Sequence, residues 1–335
     1  MSPRAQILGV GHFVPENVVT NGDLVSMMDT SDEWIRTRTG IEERHWVDLG
    51  STTATSDLAL RAAERALAAS DTKAKDLDMI ILATITPDHE FPGTSCFLQS
   101  KLGAQGCAVI DIRQACSGFI YALSIADQFV SSGHRKKVLV VGAEVHSKGL
   151  DRTPRGRDVS VLFGDGAGAV VLGAATDGAR GVIKTVLHAD GDHAKELWAP
   201  APGMAYPTER MSALQIENGD RYAKMNGKAV FVHAVRRMSE VVLETLDGTG
   251  YGVPDVDLFL FHQANLRIND MVGEQLKIKS DRVFNTIQKF GNTTAATIPI
   301  GMAEAVAAGK LKPGMLVMTA AFGSGFTWAG GLVRW

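Results

Sequence analysis

The sequence predicts an α/β chain made of two similar halves, about residues 1–175 and 176–335. Two observations carry this. Apolar strands, amphipathic helices and Gly-rich turns recur in the same order, the mark of a duplicated unit. The recurrence also keeps an offset of 176: Cys116 opens CSGFIYALSIADQFVSSG, ending at Gly133, and Asn292 opens NTTAATIPIGMAEAVAAG, ending at Gly309. Alternating strands and helices favour mainly parallel sheets with helices packed on their faces.

The elements follow in order. Residues 53–69 and 229–246 place apolar side chains at helical spacing and read as amphipathic helices. DLDMIILAT (76–84) and DVDLFLFH (255–262) each read as an acidic turn followed by a buried strand. Residues 116–133 and 292–309 read as helices that run into the strands VLVVG (138–142) and MLVMT (315–319). Each strand then leads to a Gly-rich turn and a second apolar strand, FGDGAGAVVL (163–172) and FGSGFTWAGGLV (322–333). Under a pseudo-twofold axis, equivalent loops meet at one centre. At this offset Cys116 and Asn292 hold the same position in each half and face each other.

Composition excludes several classes. The 34 Lys and Arg against 37 Asp and Glu leave a net charge of −3, so no basic stripe remains for a dedicated nucleic-acid binder. No stretch reaches the ~18 apolar residues that span a membrane, and residues 1–10 lack the apolar run of a secretory signal. Cys96, Cys107 and Cys116 form no CxxC pair, which indicates neither a disulfide framework nor a zinc site. A cytoplasmic chain with reduced thiols is the expectation.

Three residues could carry chemistry. Cys116 stands where a strand and short turn give way to a helix opened by Ser117 and Gly118. Unpaired N–H groups there favour a thiolate, although a free cysteine is also commonly a small buried apolar residue. His262 closes the apolar strand 258–261, where open α/β sheets place functional groups. Asn292 precedes Thr293 and Thr294 and reads equally as a helix cap. Together they make a nucleophile, a titratable imidazole and an amide donor, able to form a thioester and hydrogen-bond an oxyanion. No carboxylate is marked to orient His262, which weakens a hydrolase triad. The N–H groups around Gly323, Ser324 and Gly325 could complete an oxyanion hole with that of Cys116. The Gly-rich pieces at 9–11 and 164–168 lack the context of a nucleotide loop and read as structural turns.

The ordered set SDEWIRTRTGIEERH (31–45), ACSGF (115–119), GDGAGA (164–169), HQANLRI (262–268), GNTTAA (291–296) and FGSGFTW (322–328) resembles the β-ketoacyl-acyl-carrier-protein synthase III family over the whole chain. The resemblance implies a thiolase-like duplicated fold in five layers, αβαβα, usually as a homodimer. It implies catalytic Cys116, His262 and Asn292, with the N-terminal half bearing the nucleophile. Cys116 would take an acyl group from acyl-coenzyme A, and His262 and Asn292 would hold a malonyl thioester carbonyl as CO2 leaves. Backbone N–H groups of Cys116 and Ser324 would hold the acyl oxyanion. Trp34, Arg38 and Arg157 would contact coenzyme A, and Phe91 would cross the dimer interface to limit the acyl pocket. No cofactor or metal is implied, because both thioesters are substrates.

Two departures matter. Fatty-acid-pathway members typically carry a Lys pair where this chain has Glu274 and Gln275, and often a basic residue at Val232, while Arg267 is kept. The expected consequence is weaker docking of an acidic carrier protein, so that malonyl-coenzyme A competes as donor. DIRQACSG (111–118) and the ADGD and APG pieces within 189–203 are similar to the quinolone-signal condensing enzymes, which points to a secondary-metabolite alternative with an unusual, for example aromatic, starter. Acyl transfer without decarboxylation is a further alternative, against which Asn292 stands.

Overall fold

The computed structural model describes residues 4–175, 180–207 and 209–335. Five strands, β1 (Ala5–Phe13), β2 (Met79–Ala83), β3 (Ala108–Ile112), β4 (Lys137–Glu144) and β5 (Gly166–Ala174), form one sheet in the order β3–β2–β4–β5–β1. Four more, β6 (Gly181–Ala189), β7 (Leu258–Phe261), β8 (Leu316–Gly323) and β9 (Thr327–Arg334), form a second in the order β7–β8–β9–β6. Where the first sheet has β3, the second has only an isolated parallel bridge between Phe259 and Val283.

The sheets are mixed, which corrects the mainly parallel expectation. Only β3–β2–β4 and β7–β8 pair in parallel; β4–β5, β5–β1, β8–β9 and β9–β6 are antiparallel. The turn between β8 and β9 is too short for the crossover that parallel strands require, so that pair has to be antiparallel.

Five helices set the layers: α1 (Thr55–Ala69), α2 (Gly118–Ser131), α3 (Gly227–Leu246), α4 (Leu266–Gln275) and α5 (Thr297–Ala307). Strand side chains alternate between faces. Val138 and Val140 of β4 turn inward with Phe119 and Leu123 of α2, Ile298 and Met302 of α5, and Val317 and Ala321 of β8. Leu139 and Val141 turn outward onto Leu58, Ala62 and Ala66 of α1, which form one helical stripe. On the far side Leu316, Met318 and Ala320 meet Val235, Met238 and Val242 of α3. The order is therefore helix, sheet, helix, sheet, helix. The middle helices are buried between two sheets, which explains why α2 and α5 are apolar on most sides.

The halves correspond, but not at 176. The turns Ala115–Ser117 and Thr294–Ala296 precede α2 and α5, and Ala115 and Thr294 are both at positive φ, 45° and 49°. They stand 179 apart (294 − 115), as do the starts of α2 and α5 and of β4 and β8. The glycines at 133 and 309 keep 176 because α5 has 11 residues where α2 has 14, and the following loop is longer to compensate. Ala295, not Asn292, is thus the counterpart of Cys116.

Candidate active site at the meeting of the halves

Each sheet carries, at or near a strand end, a glycine that admits the turn of the other half. A Cβ on Gly323, at the end of β8, would stand 2.8 Å from both Cβ and N of Cys116; one on Gly142 of β4 would stand 2.3 Å from the Ala295 carbonyl. This exchange delivers Cys116 from the first half to the end of the second sheet.

Cys116, His262 and Asn292 line one cavity, walled by apolar side chains that include Leu197, Val230, Phe231, Met238 and Phe322. His262 continues β7, its N–H donating to the Ala320 carbonyl at 2.9 Å. Its Nδ1 lies 2.7 Å from Thr297 Oγ1, and its Nε2 is buried with no partner among the described residues. Asn292 is fixed by its main chain, which donates to Leu162 O (2.8 Å) and accepts from Gly164 N (3.1 Å). Its Oδ1 accepts from Thr294 N at 2.8 Å, leaving the NH2 end for a cavity occupant. The Oδ1 end of the amide therefore serves the turn, as the capping reading expects. Symmetry with Cys116 is not what places it there.

Burial pushes the Cys116 thiol up to about 12, with the Glu144 carboxylate adding to the effect. This reverses the expected thiolate. Cys116 sits in the turn ahead of α2, and desolvation outweighs the helix N-terminus. Glu144 is itself raised to about 7 by burial, against hydrogen bonds from Thr86 Oγ1 (2.6 Å), Ile85 N and Thr84 Oγ1.

Burial lowers both His262 and His146 to about 3, so both are neutral at pH 7. A histidine held below its unfolded value gives stability that is present above pH ~6.5 and lost as pH falls toward the folded value. Glu144, held above its unfolded value, works in the opposite sense over about pH 4.5–7. The test is therefore a difference. From pH 7 to pH 5, wild type should lose about 2 kcal/mol more than His146→Leu, 1.5 units at ~1.36 kcal/mol each. Urea melts of both proteins at the two pH values check this; parallel losses would contradict it.

From Cys116 the cavity runs past Leu162, Met225 and Phe231 to an opening lined by Trp34, Arg38, Lys228 and Arg267. Trp34 belongs to the helix Asp32–Thr39, whose cap Ser31 accepts from Trp34 N (3.1 Å). The guanidiniums of Arg38 and Arg157 lie 4.8 and 4.9 Å from its ring centroid. Arg157 also donates to the Asp29 carbonyl at 3.0 Å. A second cavity leaves Cys116 on another side and is lined by Ser324, Thr294, His146, Arg113 and Arg221. Phe91 does not reach either cavity of its own chain and stands 81% exposed.

Sequence reasoning missed Thr297, Thr294, Glu144 and His146. The two threonines carried only a helix-start signal, and nothing in the run AEVH (143–146) marks a buried acid and imidazole.

Comparison with known proteins decides the family. The 3-oxoacyl-[acyl-carrier-protein] synthase III family matches residues 110–191, and its C-terminal region matches 246–335. A β-ketoacyl-[acyl-carrier-protein] synthase III from Caldanaerobacter subterraneus subsp. tengcongensis is 45% identical over 331 residues, covering 99% of this chain and 98% of the relative. This chain belongs to the β-ketoacyl-acyl-carrier-protein synthase III family. It is an acyltransferase of the condensing-enzyme class with the thiolase-like fold. The crystal structure of the synthase III from Aquifex aeolicus VF5 is similar with a TM-score of 0.89 and 42% identity, covering 99% and 100% of the two chains. The priming β-ketosynthase of the R1128 polyketide pathway is similar at a TM-score of 0.89 and 30% identity, covering 100% of this chain and 98% of that one.

Proposed function

We propose that this enzyme joins an acyl-coenzyme A starter to a malonyl thioester by decarboxylating Claisen condensation. The observation that carries the reading is the single cavity shared by Cys116, His262 and Asn292. In the first half-reaction the Cys116 sulfur attacks the acyl thioester, its proton leaves, and coenzyme A departs as the thiol. The backbone N–H groups of Cys116 and Ser324 hold the oxyanion; Ser324 follows the glycine that touches Cys116 and is tied down by its hydroxyl on the Leu197 carbonyl. In the second, His262 Nε2 and the Asn292 amide donate to the malonyl thioester carbonyl. The C–C bond to the carboxylate breaks, CO2 leaves, and the electron pair forms the enolate. Its carbon attacks the acyl-Cys116 carbonyl, the C–S bond breaks to give the β-ketoacyl thioester, and the Cys116 thiolate takes a proton from water to regain the resting thiol. No base is needed to make the carbanion, and no cofactor enters this scheme. Coenzyme A lies along the cavity to Trp34, Arg38 and Arg157, its adenine displacing one guanidinium from the ring. Intact-mass measurement after incubation with a panel of acyl-coenzyme A species tests the reading: an acyl increment on Cys116 supports it, and no increment from any species refutes it.

The starter is open to a second reading. Arg113, His146 and Arg221 in the second cavity give it polar groups that a plain alkyl chain does not use. This favours a polar or aromatic starter, and the same panel ranks the two.

A homodimer fits two features. β3 is an edge strand whose Val109, Ile110 and Ile112 are half-buried, open to pairing with a second copy. Phe91 stands out from its own chain, as a residue that closes the partner's acyl pocket would. A cytoplasmic location fits the free thiols of Cys96, Cys107 and Cys116. No described helix is long and apolar enough to cross a membrane.

The malonyl donor turns on charge at the opening. Glu274 and Gln275 are both exposed, and Gln275 Oε1 accepts from Ser239 Oγ at 2.8 Å. Arg267 stacks over Phe231 at 5.5 Å and, with Arg38 and Lys228, keeps the opening cationic. Docking of an acidic carrier protein is therefore weakened but not lost, and malonyl-coenzyme A is expected to compete. Glu274→Lys should raise kcat/KM for malonyl-carrier protein, leave malonyl-coenzyme A nearly unchanged, and lose its advantage as salt shortens the ~8–10 Å screening length. Steady-state rates with both donors at two ionic strengths decide this. A gain equal for both donors, or none, would show that docking uses another surface.

A further inference from the structure

We propose that Thr297 is a positioning residue for the malonyl half-reaction: its hydroxyl donates to Nδ1 of His262 and so holds the imidazole in the tautomer that carries its proton on Nε2, facing the cavity. The inference rests on the donor role proposed above for His262.

A threonine hydroxyl has one proton, and two acceptors compete for this one. His262 Nδ1 lies 2.7 Å from Oγ1, and the Thr294 carbonyl lies 3.0 Å away. The carbonyl already has a donor, because it accepts the N–H of Thr297 in the turn Thr294–Ala296. Nδ1 has no hydrogen bond other than that to Thr297 among the described residues. Both distance and need send the proton to Nδ1.

The choice fixes the chemistry of the opposite nitrogen. With the hydroxyl donating to Nδ1, the neutral ring must carry its hydrogen on Nε2. With the hydroxyl turned to Thr294, Nδ1–H would donate to Oγ1, and Nε2 would face the cavity as a bare lone pair. That lone pair repels a carbonyl oxygen gaining negative charge. Burial keeps the imidazole neutral, so no second proton makes up the loss. Only one hydroxyl orientation therefore lets His262 stabilise an enolate.

The same turn aims the other donor. Thr294 N–H holds Asn292 Oδ1 at 2.8 Å, which turns the amide NH2 the other way. Thr294 adopts φ +49°, an uncommon conformation for a β-branched residue, and it is the step that brings Thr297 under His262. β-Branching also restricts Thr297 at χ1, which limits the directions its hydroxyl can take. This hydroxyl stands where a histidine-orienting carboxylate is missing from the sequence.

The test uses the full-length enzyme. In wild type, nitrogen-15 NMR with labelled histidine should show His262 protonated on Nε2 and bare on Nδ1. Thr297→Val keeps the shape and removes the hydroxyl. It should lower kcat for malonyl-thioester decarboxylation by roughly 10²-fold, the scale of one lost oxyanion donor, with KM little changed and acylation of Cys116 close to wild type. Thr297→Ser should restore most of the rate. A wild-type His262 with its proton on Nδ1, or a Val variant that decarboxylates at the wild-type rate, overturns the proposal. The underlying reading fails separately: if His262→Ala decarboxylates normally, His262 is no donor, whatever tautomer the NMR reports.

Discussion

Cys116→Ala is expected to abolish covalent acyl loading and condensation while decarboxylation of a malonyl thioester persists. The alanine removes the thiol that, among the described residues, lines both cavities, and it fits the space, since Gly323 packs directly against the Cys116 Cβ. Acyl transfer from one thioester to another needs that sulfur; the Ser324 and Thr294 hydroxyls of the second cavity are already engaged by the Leu197 carbonyl and His146 Nε2. His262 and Asn292 are held by Thr297, Leu162 and Gly164, none of which depends on Cys116, so the malonyl half-site survives. Loading is read by intact mass with radiolabelled acyl-coenzyme A, and decarboxylation by CO2 release. Covalent label on the alanine variant would show another nucleophile. The thiol pushed up to about 12 adds a further expectation. Cys116 of the empty enzyme should react with iodoacetamide at pH 7 far more slowly than the exposed Cys96, read by peptide mass, because the thiolate is the nucleophile and is scarce at Cys116.

Much of this architecture is legible in the residues, and the exceptions have physical causes. The element order exposes the two units because strands and helices buried on both faces need unbroken apolar runs, as in Ile80–Leu82 and Val138–Val141. The register between halves is not legible from glycines. Gly133 and Gly309 mark where helices stop, and a helix can lose three residues without moving its start. The turns at Ala115 and Thr294 fix the correspondence, and positive φ at non-glycine residues has no reliable sequence sign. His262 is legible because a strand of four apolar residues ends on it. The protonation of Cys116 is not, since it depends on burial beneath Gly323 and on Glu144, which lies 28 positions on and meets the site only through the sheet. The sequence around Trp34 does not show what its ring touches; in the structure it packs against a small core that includes Ile35 and Trp46, with two guanidiniums over it.

His262→Ala and Asn292→Ala are expected to load Cys116 normally and to release CO2 from a malonyl thioester roughly 10²–10³-fold more slowly, the usual effect of losing one oxyanion donor. The asymmetry follows from where charge develops. In loading, negative charge appears on the acyl oxygen, beside the backbone of Cys116 and Ser324. In the decarboxylation proposed above it would appear on the malonyl thioester oxygen, on the side of the cavity lined by His262 and Asn292. Because His262 is neutral down to about pH 3, its contribution is a hydrogen bond and not a full positive charge. The decarboxylation rate should therefore show no titration of His262 between pH 5 and 8, whereas an imidazolium donor would give a falling limb near pH 6.5. Each loss should act mainly on kcat, since the enolate oxygen accepts more strongly than the ground-state carbonyl. Single-turnover loading, CO2 release and their pH profiles separate these outcomes. Variants that fail to load Cys116 while still releasing CO2 would assign His262 and Asn292 to the first half-reaction and leave the enolate to other donors.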